Sequence, residues 1–186
     1  YGGPDGEIGA SMRYLSQRFT APNRVCMAVL TDVATEELGH LEMVSTIVHQ
    51  LTANLTVEEI ENQGFADYYV DHAVGIWPQS AGGIPFNSCE FQSKGDPVTD
   101  MFESMAAEQK ARSTYDNILR VVRDIPEIAD PIRFLRAREV VHFQRFGEAL
   151  QSLQDQLNSK NFYQMNPSFD TGLTREPCDC QGECVQ

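Results

Sequence analysis

Cys26-Met-Ala-Val-Leu30-Thr-Asp-Val33-Ala-Thr-Glu-Glu37-Leu-Gly-His40-Leu-Glu-Met-Val44-Ser-Thr-Ile47-Val-His-Gln-Leu51 is the stretch on which the fold turns. Steps of three and four along it select Cys26, Leu30, Val33, Glu37, His40, Val44, Ile47 and Leu51, which share one face of a helix. The stripe is apolar or thiol except at its centre, where Glu37 and His40 stand three apart. A second segment repeats this with Ile132, Leu135, Glu139, His142, Phe146, Leu150 and Leu153. Two further stripes carry one carboxylate each. They are Met101, Met105, Glu108, Ala111, Tyr115, Leu119 and Val122, and the short Glu7, Ala10 and Tyr14.

A carboxylate facing a core is costly unless it is paired or metal-bound. Four facing one core also repel each other, and two divalent cations would cancel their charge. One Glu from each of two helices plus a Glu-x-x-His from each of two others is the ligand pattern of dimetal carboxylate bundles. One Glu-x-x-His alone would more often be a solvated face. Two of them, each central in an apolar stripe and each preceded by another Glu, point to a binuclear site. The pattern also echoes itself: Glu7 has a Tyr seven residues on and Glu37 thirty on, while Glu108 has a Tyr seven on and Glu139 thirty-one on. Two helical hairpins related by an approximate two-fold axis would produce that spacing.

The stripes sit on four predicted helices, over about 6–19, from just after Pro22 to 51, 97–122 and 131–157. Asp96-Pro97 reads as a cap and first-turn Pro, Pro22 is suited to a first helical turn, and the fourth helix starts near Pro131-Ile132. The first and third connections are short, which makes antiparallel neighbours. The middle one, about 52–95, is long and holds a short Thr-capped helix over 56–62. The fold class is therefore all-α, a ferritin-like four-helix bundle with one long crossover connection. Residues 1–160 form the bundle domain, and 161–186, where periodicity stops, read as an extended Cys-containing tail.

Composition narrows the function. The chain has 186 residues with 14 Lys+Arg against 27 Asp+Glu, a net charge of −13, which argues against nucleic acid and anionic lipid as partners. No apolar run approaches the length of a membrane span, and no signal peptide is visible. The chain opens Tyr1-Gly2-Gly3 rather than with Met, which is compatible with a further upstream segment. Five cysteines, an odd number, do not suggest a disulfide framework, and the core suits a reducing compartment. Away from the stripes, Glu36 and Glu42 read as solvated and His49 as surface. His72 reads as a loop hydrogen-bonding group, and Arg133, Arg136 and Arg138 as a solvated face or subunit contacts.

The motifs Gly3-Pro-Asp-Gly-Glu7-Ile-Gly-Ala-Ser-Met-Arg-Tyr14-Leu-Ser-Gln, Thr35-Glu-Glu37-Leu-Gly-His40-Leu-Glu-Met, Lys94-Gly-Asp-Pro97, Ala106-Ala-Glu108-Gln-Lys-Ala-Arg and Arg138-Glu139-Val-Val-His142 resemble the manganese (non-haem) catalases. Within that family they look most like its small spore-coat branch. The likeness covers about residues 1–160 and is specific, because the motifs match in order and spacing. It implies two manganese ions per subunit and disproportionation of hydrogen peroxide to water and dioxygen. It also implies a homo-oligomer of open order, made in the mother-cell cytoplasm and deposited in the spore coat beside other coat proteins.

Carried over by motif, the metal ligands are Glu7, Glu37, His40, Glu108 and His142, with Glu37 and Glu108 near the bridge. Glu139 matches a carboxylate beside the cluster, suited to act as the base that takes peroxide protons, and Tyr14 matches a tyrosine beside the ligands. Where some members carry an Arg just before the third-helix Glu, this chain has Ala107, which implies a different charge at the substrate channel and slower turnover.

Two other functions fit the residues. Glu and His hold Fe(II) as well as Mn(II), so a di-iron oxidase or ferritin-like iron handler is the competing enzyme. A structural coat protein with a metal core of little activity is the non-enzymatic reading. Cys178, Cys180 and Cys184 support that reading in part, although three thiols do not complete a structural zinc site. They crowd into a segment without helical periodicity, where thiols are accessible. If they cross-link chains in an oxidising coat, non-reducing gels of native assemblies will show ladders that vanish with reductant. Changing all three to Ser should abolish the ladders, and unchanged ladders would shift the linkage to Cys26 and Cys89.

Overall fold

The structure, a computed structural model, describes residues 2–64, 66, 78–80 and 83–159. The tail from 161, with its three cysteines, and His72 lie outside these residues. Five α-helices are described: α1 (Glu7–Gln17), α2 (Arg24–Thr52), α3 (Val57–Asn62), α4 (Pro97–Val122) and α5 (Pro126–Ser159). Among the described residues the only β-type pairing is an isolated bridge between Gln79 and Pro85. No helix among the described residues is long and apolar enough to cross a membrane.

Local chemistry sets most helix starts. The Asn23 side chain accepts from the Cys26 N–H at 2.9 Å, so α2 begins at Arg24, with Pro22 outside the helix. Asp96 caps α4 through the Thr99 N–H at 2.8 Å, and Pro97 occupies the first position, where a missing N–H is harmless. Thr56 and Glu59 form a reciprocal capping box on α3.

The expected start of the last helix at Pro131 is corrected. Helical bonding begins earlier, with Ala129 N–H donating to Ile125 O at 2.8 Å, and Pro131 lies inside α5. The carbonyl Pro131 cannot serve belongs to Glu127, which is exposed, so water can take its place. The connection between α4 and α5 is thereby only residues 123–125.

The helices form a four-sided bundle. α1 packs on α2, α4 on α5, α2 on α5 and α1 on α4. Residues 53–96, including α3, cross between the two hairpins. The interior is layered. One apolar cluster holds Tyr14, Leu30, Val33, Met101, Phe146, Leu150 and Leu153, among others. The second holds Tyr115, Ile132 and Leu135, with Val44, Ile47 and Leu119 packed on it. Along α2, α4 and α5 the Glu and His positions fall between these two clusters. The second cluster is thinner because α1 has only 11 residues and does not extend over it. Leu51, expected on the buried stripe, is accordingly 54% exposed.

The N-terminal segment is strapped onto this frame. Gly2 N–H donates to Gln79 O at 3.2 Å, and a Cβ at Gly2 would overlap the backbone of Pro78 and Gln79. Arg13, buried in α1, donates from Nη2 to Pro4 O at 3.2 Å. These contacts set the approach to Glu7, the first residue of α1.

Phe146 is fully buried, and its ring meets Tyr14 edge-on with centroids 4.8 Å apart. Phe146→Ala should lower unfolding free energy by about 3–5 kcal/mol, read by chemical denaturation of metal-free protein. A loss under 1 kcal/mol would mean that the cluster around Tyr14 is not the principal core.

Candidate metal centre

All seven residues predicted from the sequence meet in the polar layer. α1 supplies Glu7 and Tyr14, α2 Glu37 and His40, α4 Glu108, and α5 Glu139 and His142. None is more than 4% exposed. The helical period brings them inward. Glu37 lies four residues after Val33 and Glu139 four after Leu135, so each turns to the face its apolar neighbours bury.

The two imidazoles stack, centroids 5.4 Å apart and planes 21° apart. Both turn Nδ1 inward. His40 Nδ1 lies 3.0 Å from Glu37 Oε2, 3.6 Å from Glu139 Oε1 and 3.9 Å from Glu7 Oε2. His142 Nδ1 lies 2.6 Å from Glu37 Oε1 and 3.4 Å from Glu108 Oε2. Glu37 therefore faces both histidines, one oxygen each. Tyr14 Oη donates to Glu108 Oε1.

Several of these atoms approach without pairing. Glu37 Oε1, Glu108 Oε2, Glu139 Oε1 and His142 Nδ1 are buried and have no aligned hydrogen-bond partner, although Glu37 Oε1 and His142 Nδ1 are 2.6 Å apart. Carboxylate and imidazole groups converging on a shared centre are what a cation, or protons in its place, would satisfy. Carboxylate oxygen and imidazole nitrogen suit Mn(II) or Fe(II). Ligand atoms of Glu37, His40, Glu139 and His142 lie within 4.8 Å of one another, and these four residues could hold an ion. On geometry alone Glu139 is thus as well placed as any assigned ligand.

The electrostatics agree. Burial pushes the His40 imidazole down, but Glu139 and Glu37 outweigh it and raise it to about 9. Burial likewise lowers His142, and Glu108 and Glu37 raise it to about 11. Burial pushes Glu37 up, yet His142, His40 and Glu7 more than offset this and hold it at about 2. Glu7 is raised well above the usual carboxylate range by burial and then by Glu37. Glu108 is raised by burial and neighbouring carboxylates, against a lowering by His142. Burial and the charges of Glu108 and Glu37 raise Tyr14 well above an ordinary phenol, so it stays a donor.

Two expectations need correction. Glu36 is not simply solvated: its side chain is 28% exposed, and Oε2 lies 3.2 Å from His142 Nε2. Arg138, expected on a solvated face or at a subunit contact, reaches across from α5 and grips Glu36 with two bonds, Nε to Oε1 and Nη2 to Oε2 at 3.0 Å. Both residues precede a ligand-type Glu and lie off the buried stripe, so periodicity excluded them. Their spacing of four before each His was the available signal. Glu42 is exposed, as expected.

Known proteins resemble this chain in sequence and fold. Residues 1–167 match the family described as manganese containing catalase. Protein CotJC of Bacillus subtilis (strain 168) is 44% identical over 163 residues, covering 88% of this chain and 85% of that protein. A probable manganese catalase of Clostridium acetobutylicum is 30% identical over 161 residues, covering 87% and 71%. The crystal structure of KatB, a manganese catalase from Anabaena, superimposes with a TM-score of 0.74 at 30% identity, covering 83% of this chain and 68% of that one. With the family matched over most of its length and a Glu/His cluster at the centre of a ferritin-like helical bundle, this catalase-like chain belongs to the manganese-containing catalases.

Proposed function

We propose that this protein disproportionates hydrogen peroxide to water and dioxygen at two manganese ions held by Glu7, Glu37, His40, Glu108 and His142. The observation that carries the reading is the convergence of two Glu-x-x-His faces and two further Glu side chains, with both Nδ1 atoms inward and Glu37 between them. The two ions, each changing by one electron, supply the two-electron redox change of either half of the reaction without releasing radicals.

The chain's own residues supply the rest. Peroxide gives up two protons on the way to dioxygen, and reducing a second peroxide to water takes two back. Glu139, 2% exposed and with Oε1 free of any hydrogen-bond partner, takes and returns one of them at a time, and the other would pass to an oxygen ligand of solvent origin held by the ions. Tyr14 positions the Glu108 carboxylate through its hydroxyl. Phe146, Leu30 and Val33 on one side and Leu135 on the other keep bulk water out. Ala107, 3% exposed, places a neutral methyl before Glu108 where some members carry Arg, and this difference in charge supports slower turnover. Glu139's place among the four close ligand groups favours one second reading, a symmetric di-iron centre in which Glu139 also binds metal. We further place the protein, as a homo-oligomer, in a spore coat, with residues 1–160 as the catalytic domain and 161–186 as a tail that links it to neighbours.

Three variants and one titration test this. His142→Ala removes a ligand, so manganese content, oxygen evolution and thermal stability should fall together. Glu139→Gln should keep its metal and lose about 10²–10⁴-fold in turnover. Metal loss equal to that of His142→Ala would make Glu139 a ligand, and full activity would assign the proton transfer elsewhere. Glu37→Ala should abolish binding of both ions, read by elemental analysis.

Metal binding should also release protons. At pH 7 His40 (about 9) and His142 (about 11) are protonated, and Glu7 and Glu108 are shifted the same way. Entry of Mn(II) must displace those protons, so apparent affinity rises with pH and falls as pH drops. Calorimetric titration in buffers of different ionisation enthalpy measures this. A proton count of zero would mean that other groups hold the ion.

A further inference from the structure

We infer that Glu36, clamped by Arg138, is the shared outer partner that orients both metal-facing histidines. This rests on the proposed reading that His40 and His142 bind metal through Nδ1. With Nδ1 committed to an ion, the proton of a neutral imidazole resides on Nε2, and that N–H needs an acceptor to fix ring and tautomer. Both outer nitrogens are buried, and neither has an aligned hydrogen-bond partner. The carboxylate that faces them both is Glu36, with Oε1 3.6 Å from His40 Nε2 and Oε2 3.2 Å from His142 Nε2.

The two oxygens divide the work evenly. Oε1 accepts from Arg138 Nε and faces His40, while Oε2 accepts from Arg138 Nη2 and faces His142. The fork of the guanidinium fixes the carboxylate plane, which an ammonium could not do. The polar end of this arrangement reaches solvent, since the side chains of Glu36 and Arg138 are 28% and 30% exposed. A pair so exposed adds little to folding stability, so its contribution lies in what it holds.

The internal echo explains why these two residues meet. Glu36 lies four residues before His40, and Arg138 four before His142. They occupy equivalent positions in the two halves, and the packing of α2 on α5 brings these positions together. Two Glu residues there would repel, and two Arg would leave the histidines without an acceptor. Opposite charges break the symmetry and let one carboxylate serve both halves. The matched Glu and His positions of the two halves are therefore closed on one side by an asymmetric pair.

Glu36→Gln keeps the shape but removes the charge, and its amide presents an acceptor oxygen to only one ring. Equilibrium dialysis against Mn(II) should show affinity for both ions lower by about 10–100-fold, while the melting temperature of metal-free protein stays within a few degrees of wild type. In the Zn(II)-loaded chain, the Nε2–H signals of His40 and His142 should both be protected from exchange in wild type, and Glu36→Gln should lose the protection of at least one of them by NMR. Arg138→Gln, which leaves Glu36 without its clamp, should fall between the two, and it carries the test if Glu36→Gln does not fold. Unchanged Mn(II) affinity or unchanged imidazole signals would overturn the inference. So would a loss of affinity matched by an equal loss of metal-free stability. A wild-type chain that takes up neither Mn(II) nor Zn(II) would instead overturn the metal centre itself.

Discussion

Four carboxylates and two imidazoles occupy one layer of the interior, each at most 4% exposed, and this charge must be balanced in place because water cannot do it. The remaining architecture answers to that constraint. Two apolar clusters, one on each side of the layer, hold the helices together. The polar layer between them fixes how each helix is rotated, because turning any one by a residue would swing a carboxylate into hydrocarbon. Balance is available from protons or from cations, and the same residues serve in both cases. The high values of His40 and His142 and the low value of Glu37 express this competition.

Opposing effects can be ranked at particular residues. Glu7 is the first residue of α1, where the helix dipole favours a negative charge. Burial and the nearby Glu37 nevertheless raise its affinity for a proton, so the dipole is the smaller influence. At Glu37 the order reverses. Burial is the largest single effect, yet contacts to His142, His40 and Glu7 together exceed it. The carboxylate that faces both histidines is thus held in its ionised form.

The two hairpins contribute unequally to the enclosure. α5 runs for 34 residues and α2 for 29, whereas α1 has 11. The wall on the α1 side is completed by the strapped N-terminal segment and by the buried network in which Ser104 donates to Gln17 and Gln17 donates to Ser93. The site is held by helices on three sides and on the fourth by a short helix whose position depends on these tethers.

The bundle and its inward-facing residues were legible in sequence because both follow from period. Apolar positions three and four apart define a face, and a Glu or His on that face has to be buried wherever the helix packs. Glu7, Tyr14, Glu37, His40, Glu108, Glu139 and His142 could therefore be named from spacing and motif alone. Caps at Asp96 and Thr56 were readable for the same local reason. What tertiary structure alone decided lies off the stripe. Glu36 and Arg138 look solvated in one dimension, and they meet only because α2 and α5 pack against each other. The buried Arg13 depends on an N-terminal segment folding back over α1. Leu51, apolar and in register, is exposed because among the described residues no helix extends far enough to cover it. The start of α5 before Pro131 was decided by the short turn that α4 imposes. Period encodes which way a side chain points from its own helix, but what it meets there depends on where a neighbouring helix begins, ends and crosses.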